Sequence, residues 1–599
     1  MFQTFEVTSS PEQGPPRLSA LREVMKTAGV DAFIVPRADA HQGENVAPCD
    51  ERLAWLTGFT GSAGFAAVLS DKAGLFVDGR YRLQVRAQAD PVFTPVDWPE
   101  MSLSGWLTDH LSRGAVVGFD PWLHTVDEVK TLRKALDAAQ IELRAVDNLV
   151  DRVWEDRPAP PDQPIVAHDE SVAGETAASK RARLAEGLRE DGHRAALLTL
   201  PDSIAWLLNI RGKDIDRTPV PLTFAILRDD GSVELFCGPG QADGVTDHLG
   251  PDVAVLPREG LQAALAELDG PVLLDPRSAP QLLADALESS GVKIAEGDDP
   301  CRFPKARKNA AEIEGMRAAH LRDGAAMVRF LAWIDEEAPK GGLTEIAVVS
   351  ALEGFRRDTN ALRDVSFETI AGAGPNGAIV HYRVNEQTDR AVKPGELLLV
   401  DSGGQYEDGT TDITRTVIVG QPTEEHRTCF TRVLQGMIAV SRVRFPKGVG
   451  GQHLDALARY PLWTAGMDYD HGTGHGVGAY LGVHEGPQGI SRRSSVALEP
   501  GMIVSNEPGY YREGAFGIRI ENLLVVREAA AMPGGDDRAM HDFETLTFVP
   551  IDRRLIDVAM LSAAERDWIN GYHADTLEHL TPRLDGAALD WLRAACAPL

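Results

Sequence analysis

At 599 residues the chain is too long for one hydrophobic core and must divide into several domains. A formal net charge of -29 leaves no dominant basic face, so no nucleic-acid partner is expected; the longest apolar runs, such as LLLV at 397–400, are far too short to cross a bilayer, so no membrane partner is expected either. The opening MFQTFEVTSSPEQGPPR lacks a charged-then-apolar secretory pattern, and Cys49, Cys237, Cys301, Cys429 and Cys596 show no CxxC spacing, which points to reduced cysteines and a cytoplasmic location.

In chain order, the first block opens on a helix-like stretch at 18–30 (LSALREVMKTAGV). The apolar strand DAFIVP at 31–36 follows, then strands at 63–70 and 73–79. Proline-rich RPAPPDQP at 157–164 breaks helix and sheet alike and reads as a linker. The second block repeats the plan: KRARLAEGLREDG as helix, AALLTL as strand, then PLTFAIL and VELFCG as further strands. DAFIV with LAWLTGF set beside AALLTL with IAWLLNI gives the same order of helix, strand and Trp-containing turn, which predicts a duplicated α/β domain. In the third block Ile313, Met316, Ala319, Met327, Phe330, Leu331 and Ile334 recur at helical spacing. Short strands and helices then alternate with antiparallel hairpins, an α+β pattern. The expected domains are 1–160, 161–304 and 305–599.

Three pieces of the third block carry chemistry. In ELLLVDSGGQYEDGTTDITRTVIV, Leu397, Leu399 and Asp401 share one strand face, and Thr410, Asp412 and Thr414 share another across a glycine-rich turn. A carboxylate that continues an apolar face points inward, where an unpaired charge is costly, so something positive should meet it. HGTGHGVGAYLGVHEG places His471, His475 and His484 in a glycine-dense segment that no regular helix can hold. In IVSNEPGYYREGAFGIRIENLLVV, Ile503, Ser505 and Glu507 alternate on one strand, with Arg519 and Glu521 on the next. The pieces combine as four carboxylates and one imidazole, which balance two divalent cations in formal charge. An oxygen-rich set with one nitrogen suits manganese, cobalt, iron or zinc. Such a pair of ions activates water and polarises a carbonyl, so the site reads as hydrolytic.

The order Asp401, Asp412, His475, Glu507, Glu521 resembles that of the pita-bread metallopeptidases. The similarity is greatest to the long, three-domain, cytosolic type of Xaa-Pro aminopeptidase (aminopeptidase P). It is carried by DAHQGENVAPCDERLAWLTGFTGSAGFA and DGRYRLQ, by KNAAEIEGMRAAHLRDGAA, by HYR at 381–383, by VDSGGQYEDGTTDITRT, HGTGHGVGAYLGVHEGP, SNEPGYY and GIRIEN, and by WINGYH near the C-terminus. The resemblance implies two tandem creatinase-N-like α/β domains followed by a pita-bread catalytic domain. It implies that Asp401 chelates one metal, that His475 and Glu507 bind the other, and that Asp412 and Glu521 bridge. His381 and His484 would hydrogen-bond the substrate around the scissile carbonyl, His471 would lie beside the site, Arg519 would orient the carboxylates and Tyr511 would line the pocket. Manganese is the metal the family implies, with zinc or cobalt as alternatives, and a homodimer is the implied assembly. The implied reaction is release of the N-terminal residue from peptides with proline second, by attack of a metal-bridging hydroxide, with Glu507 as proton shuttle. The alternatives are a prolidase acting on Xaa-Pro dipeptides and a non-catalytic pita-bread protein that binds peptides.

Overall fold

The apolar strands DAFIV and AALLTL each become an inner strand of a six-stranded sheet, and the two sheets repeat one another strand for strand. The first runs Thr94–Asp97, Ala73–Val77, Phe65–Leu69, Ala32–Pro36, Val116–Phe119, Glu142–Ala145. The second runs Val253–Pro257, Val233–Cys237, Phe224–Arg228, Ala195–Leu198, Val272–Leu274, Ile294–Glu296. Across both sheets the pairings are parallel, antiparallel, antiparallel, parallel and parallel. Ala195–Leu198 is buried along its whole length, as an apolar run without alternation requires. The tryptophan-bearing stretches differ from the expectation of turns. They form short helices, Arg52–Thr57 and Pro201–Leu208, which stop at Gly58 and Asn209 in the left-handed region. Seven of the eight residues of Pro201–Leu208 are buried, with Asp202 in the first turn half-buried, so the helix shows almost no polar face and periodicity does not reveal it. The proline-rich stretch 157–164 has no regular secondary structure.

This computed structural model describes all 599 residues. They group into two units, Thr8–Arg302 and Phe303–Leu599, the latter joined by Met1–Val7. In the second unit the predicted long helix spans Ala310–Glu337, opened by a reciprocal cap between Asn309 and Glu312. Its Met327, Phe330, Leu331 and Ile334 pack with Val348, Val349 and Leu352 of helix Glu345–Arg357. Helices Glu424–Ser441 and Gly451–Trp463 approach so closely that a Cβ on Gly436 would lie 2.1 Å from the Ala458 carbonyl oxygen.

Two sheets of this unit carry Asp401 and His475, one in each. One has three strands, Ile370–Ala373, Leu397–Ser402 and Ile413–Ile418, all antiparallel. The other orders Phe445–Pro446, Met540–Thr545, Asn522–Glu528, Ile503–Asn506, Gly474–Gly476 and Glu485–Ile490.

The first seven residues are held on this second unit by specific bonds. The buried Gln3 side chain donates to Glu353 Oε2 (3.1 Å) and accepts from the Thr369 N–H (2.7 Å). The Phe5 carbonyl accepts from the Glu386 N–H at 3.0 Å, and the Phe5 ring packs on the same apolar cluster as Phe330. Gln3→Ala strands the interior Thr369 N–H and is expected to cost about 1–3 kcal/mol. Calorimetric melting should show the transition of this unit shifted downward, and an unshifted transition would contradict the contact.

Candidate metal centre

Asp401 lies in strand Leu397–Ser402, opposite Ile370 on one side and Thr414 on the other. The expected simple hairpin from Asp401 to Asp412 differs in one respect. Residues 403–412 close on themselves through a small pairing of Gly404–Tyr406 with Gly409–Thr410, and Asp412 falls at the break before Ile413–Ile418. The fold-back needs a glycine, since a Cβ on Gly403 would lie 1.9 Å from the Thr411 carbonyl oxygen.

Glu507 and Glu521 also sit at a break. Ile503–Asn506 pairs with Asn522–Glu528, ending at Asn506 opposite Asn522, and a separate hairpin pairs Gly509–Arg512 with Phe516–Arg519. Both glutamates occupy the gap between these ladders, and their backbone amides leave the hairpin to bond elsewhere. Glu507 N–H donates to the Thr473 carbonyl (2.8 Å) and Glu521 N–H to the Thr414 carbonyl (3.1 Å). Main-chain bonds thus tie one glutamate to the histidine segment and the other to the aspartate strand.

His475 lies in the short strand Gly474–Gly476, where glycine again permits close approach: a Cβ on Gly474 would lie 1.9 Å from the Ser505 carbonyl oxygen. Its Nδ1 is 2.9 Å from the Gly476 carbonyl, a bond in which Nδ1 donates and which turns Nε2 inward. Nε2 stands 3.3 Å from Glu507 Oε1 and 3.5 Å from Asp412 Oδ2. Ligand atoms of Asp412, His475 and Glu521 all lie within 4.8 Å of one another.

Arg519 is the cation bound directly to these acids. Its Nη2 donates to Asp401 Oδ2 (2.6 Å) and its Nη1 to the Tyr511 hydroxyl (2.6 Å), which in turn is 2.8 Å from His471 Nε2. Nη2 also lies 3.3 Å from the Val380 carbonyl, one residue before the half-buried His381. The exposed His484 sets its ring edge-on to that of His475, centroids 4.2 Å apart. Two further residues serve the site without having been singled out from the sequence. Thr414 Oγ1 donates to Glu521 Oε2 (2.8 Å) and Ser505 Oγ to Glu507 Oε1 (3.1 Å). The signal was there in the two-residue alternation, which puts Thr414 on the face of Asp412 and Ser505 on that of Glu507.

The residues fit divalent cations. One oxygen each of Asp401, Asp412 and Glu521 is buried without a hydrogen-bond donor, an arrangement that native interiors avoid unless something positive meets it. From the protein's own groups alone, burial pushes the Asp401 carboxyl up against the pull of Arg519, with Asp412 adding to the rise. Burial, then Asp412 and Glu507, push Glu521 well above the carboxylate range, and burial raises Glu507 to about 7. Burial works against the imidazolium of His475, yet the bond to Asp412 and the charge of Glu507 carry it up to about 9. The donor set, carboxylate oxygens with one imidazole nitrogen, suits hard to borderline ions. Glu521→Gln should remove repulsion and ligand together. In chelator its melting temperature is expected to equal or exceed wild type. The rise that a divalent ion brings to wild type, about 2.7 kcal/mol at a hundredfold excess over Kd, should be lost. A variant that keeps the full metal-induced rise in a melting assay would contradict this reading.

The whole chain finds counterparts among known proteins. Metallopeptidase family M24 matches residues 314–528 and the C-terminal region of that peptidase family matches 539–599. The creatinase/prolidase N-terminal domain matches twice, at 17–153 and 156–312. A probable Xaa-Pro aminopeptidase P of Laccaria bicolor is 41% identical, covering 97% of this chain and 93% of that protein. Aminopeptidase P2 of Arabidopsis thaliana is 42% identical over 97% of this chain and 88% of its own length. Among solved structures, the X-prolyl aminopeptidase of Caenorhabditis elegans, described as a cytosolic enzyme with a di-nuclear active site, superposes with a TM-score of 0.92 at 33% identity, covering 98% of this chain and all of its own. Taken with the duplicated N-terminal sheets and the clustered acids, this places the chain in metallopeptidase family M24, in its Xaa-Pro aminopeptidase P branch.

Proposed function

We propose that the chain is an aminopeptidase that releases the N-terminal residue from peptides with proline in second position, using two divalent ions held by Asp401, Asp412, His475, Glu507 and Glu521. The observation that carries the reading is the set of buried carboxylate oxygens lacking donors around the inward Nε2 of His475, on a chain matched along nearly its whole length by aminopeptidases P. In this assignment Asp401, Asp412, His475, Glu507 and Glu521 would together hold the two ions. Bound there, the ions supply Lewis acidity, lowering the pKa of water and polarising the scissile carbonyl. Glu507 moves the proton from the attacking water to the departing proline nitrogen. His484 and His381 donate hydrogen bonds to the carbonyl as charge develops on it. Arg519 holds Asp401 in place and Tyr511 lines the pocket, with His471 fixing the tyrosine hydroxyl.

Proline matters because it makes the scissile amide tertiary, with no N–H to donate and a fixed φ. A site that needs neither the N–H nor a free φ cleaves a bond that ordinary peptidases leave intact. Manganese is the metal proposed, with zinc and cobalt as competitors. A cytoplasmic location accords with five buried cysteines, all unpaired. The proposed homodimer finds support in Tyr460 and Trp463, exposed at 66% and 44% on adjacent turns of helix Gly451–Trp463. Sedimentation at micromolar concentration should give twice the chain mass, and a single-chain mass would refute the dimer.

Kinetics after metal stripping and readdition test the activity. Xaa-Pro-Xaa tripeptides should be cleaved at the first bond, with Xaa-Pro dipeptides poor substrates and manganese restoring the most turnover. His484→Ala is expected to lower kcat by about 10²–10³. Preference for the dipeptide would instead identify a prolidase, and unimpaired turnover by Asp401→Ala would overturn the proposed mechanism.

A further inference from the structure

Beneath the two aspartates lies a buried ion pair that the reaction does not use. Asp323, on helix Ala310–Glu337, and Arg356, at the end of helix Glu345–Arg357, are both fully buried. Arg356 grips the carboxylate with Nε (2.7 Å to Oδ1) and Nη2 (3.0 Å to Oδ2). The same carboxylate accepts from the Tyr406 hydroxyl (2.8 Å to Oδ1) and from Thr411 Oγ1 (2.8 Å to Oδ2). Arg356 Nη2 also reaches the Ser402 carbonyl at 3.3 Å. Ser402 is the residue after Asp401, and Thr411 is the residue before Asp412.

A buried ion pair is weak evidence of a contribution to stability, since apolar side chains of similar volume usually serve as well. What an apolar pair does not supply is direction. Here one charged unit fixes the backbone at both ends of the fold-back that separates the two aspartates. Thr411 Oγ1 accepts from the Gly404 N–H (2.9 Å) while donating to Asp323, so the fold-back is tied across its neck through the same hydroxyl. We propose that Asp323 and Arg356 are positioning residues: through Thr411 and Ser402 they set the spacing of Asp401 and Asp412 to that of a divalent-ion site. The inference rests on the metal-centre reading above.

Two substitutions at one position separate positioning from packing. Thr411→Ser keeps the hydroxyl and loses a methyl group, whereas Thr411→Val keeps the volume and loses the hydroxyl. Metal-stripped proteins are titrated with Mn²⁺ by calorimetry, alongside Thr576→Val, a buried threonine whose hydroxyl donates within its own helix, as control. Thr411→Val is expected to bind Mn²⁺ about 10–100-fold more weakly than wild type, with Thr411→Ser within about threefold of it. Turnover by Thr411→Val should fall at limiting Mn²⁺ and recover at saturation, with KM unchanged. Should Thr411→Val fail to fold, Tyr406→Phe, which removes another hydroxyl bound to Asp323, carries the same expectation. Wild-type affinity in Thr411→Val, or a serine variant weaker than the valine one, would overturn the proposal while leaving the metal centre intact. Wild-type protein that takes up no Mn²⁺ would overturn both.

Discussion

Four carboxylates packed together in the interior, with one guanidinium bonded among them, set the terms for the second unit. Such a cluster repels itself and loses hydration, so no fold keeps it for stability alone. Three of the four acids are therefore placed where ladder pairing stops, while Asp401 stays paired within its strand. Asp412 precedes a strand, Glu507 and Glu521 fill the gap between two ladders, and Asp401 ends against Arg519. The backbone amides of both glutamates bond to other segments, so the acids are held by main chain rather than by attraction to one another. Added cations would convert this repulsion into coordination, and a polypeptide arranged around that event keeps its local strain where the chemistry is.

Glycine makes the crowding possible. At Gly403, Gly474 and Gly517 a Cβ would run into a neighbouring carbonyl oxygen, and each position adjoins a residue of the site or its support. Gly517 lets the hairpin that carries Arg519 lie against Gly377, in the segment leading to His381. The same closeness explains the breaks in pairing, because strands that approach through glycine have no side chains to hold a register.

Much of this could be read from the chain. Alternation placed Asp401 on an apolar face, and glycine density marked the histidine segment as close-packed backbone. The doubled N-terminal domain was visible because its inner strands are uninterrupted apolar runs and recur in the same order. What periodicity missed has physical causes. The interruption between residues 402 and 413 follows from one glycine and a threonine hydroxyl, and two-residue alternation runs straight through it. Asp323 and Arg356 lie on helices far from the acids in sequence, where a charged residue looks like a solvated one until tertiary packing buries it. The hold of Met1–Val7 on the second unit rests on the Gln3 side chain, the packed Phe5 ring and a few backbone bonds, which no pattern announces. The tryptophan stretches form short helices and not turns, because six or eight residues, mostly buried, are too few to show a helical period.

Metal content measured against activity tests the central claim most directly. Protein purified without added metal, graded by partial chelation, should show elemental content rising to two divalent ions per chain in step with turnover of an Xaa-Pro-Xaa peptide. Full turnover in protein holding fewer than one ion per chain would contradict the account.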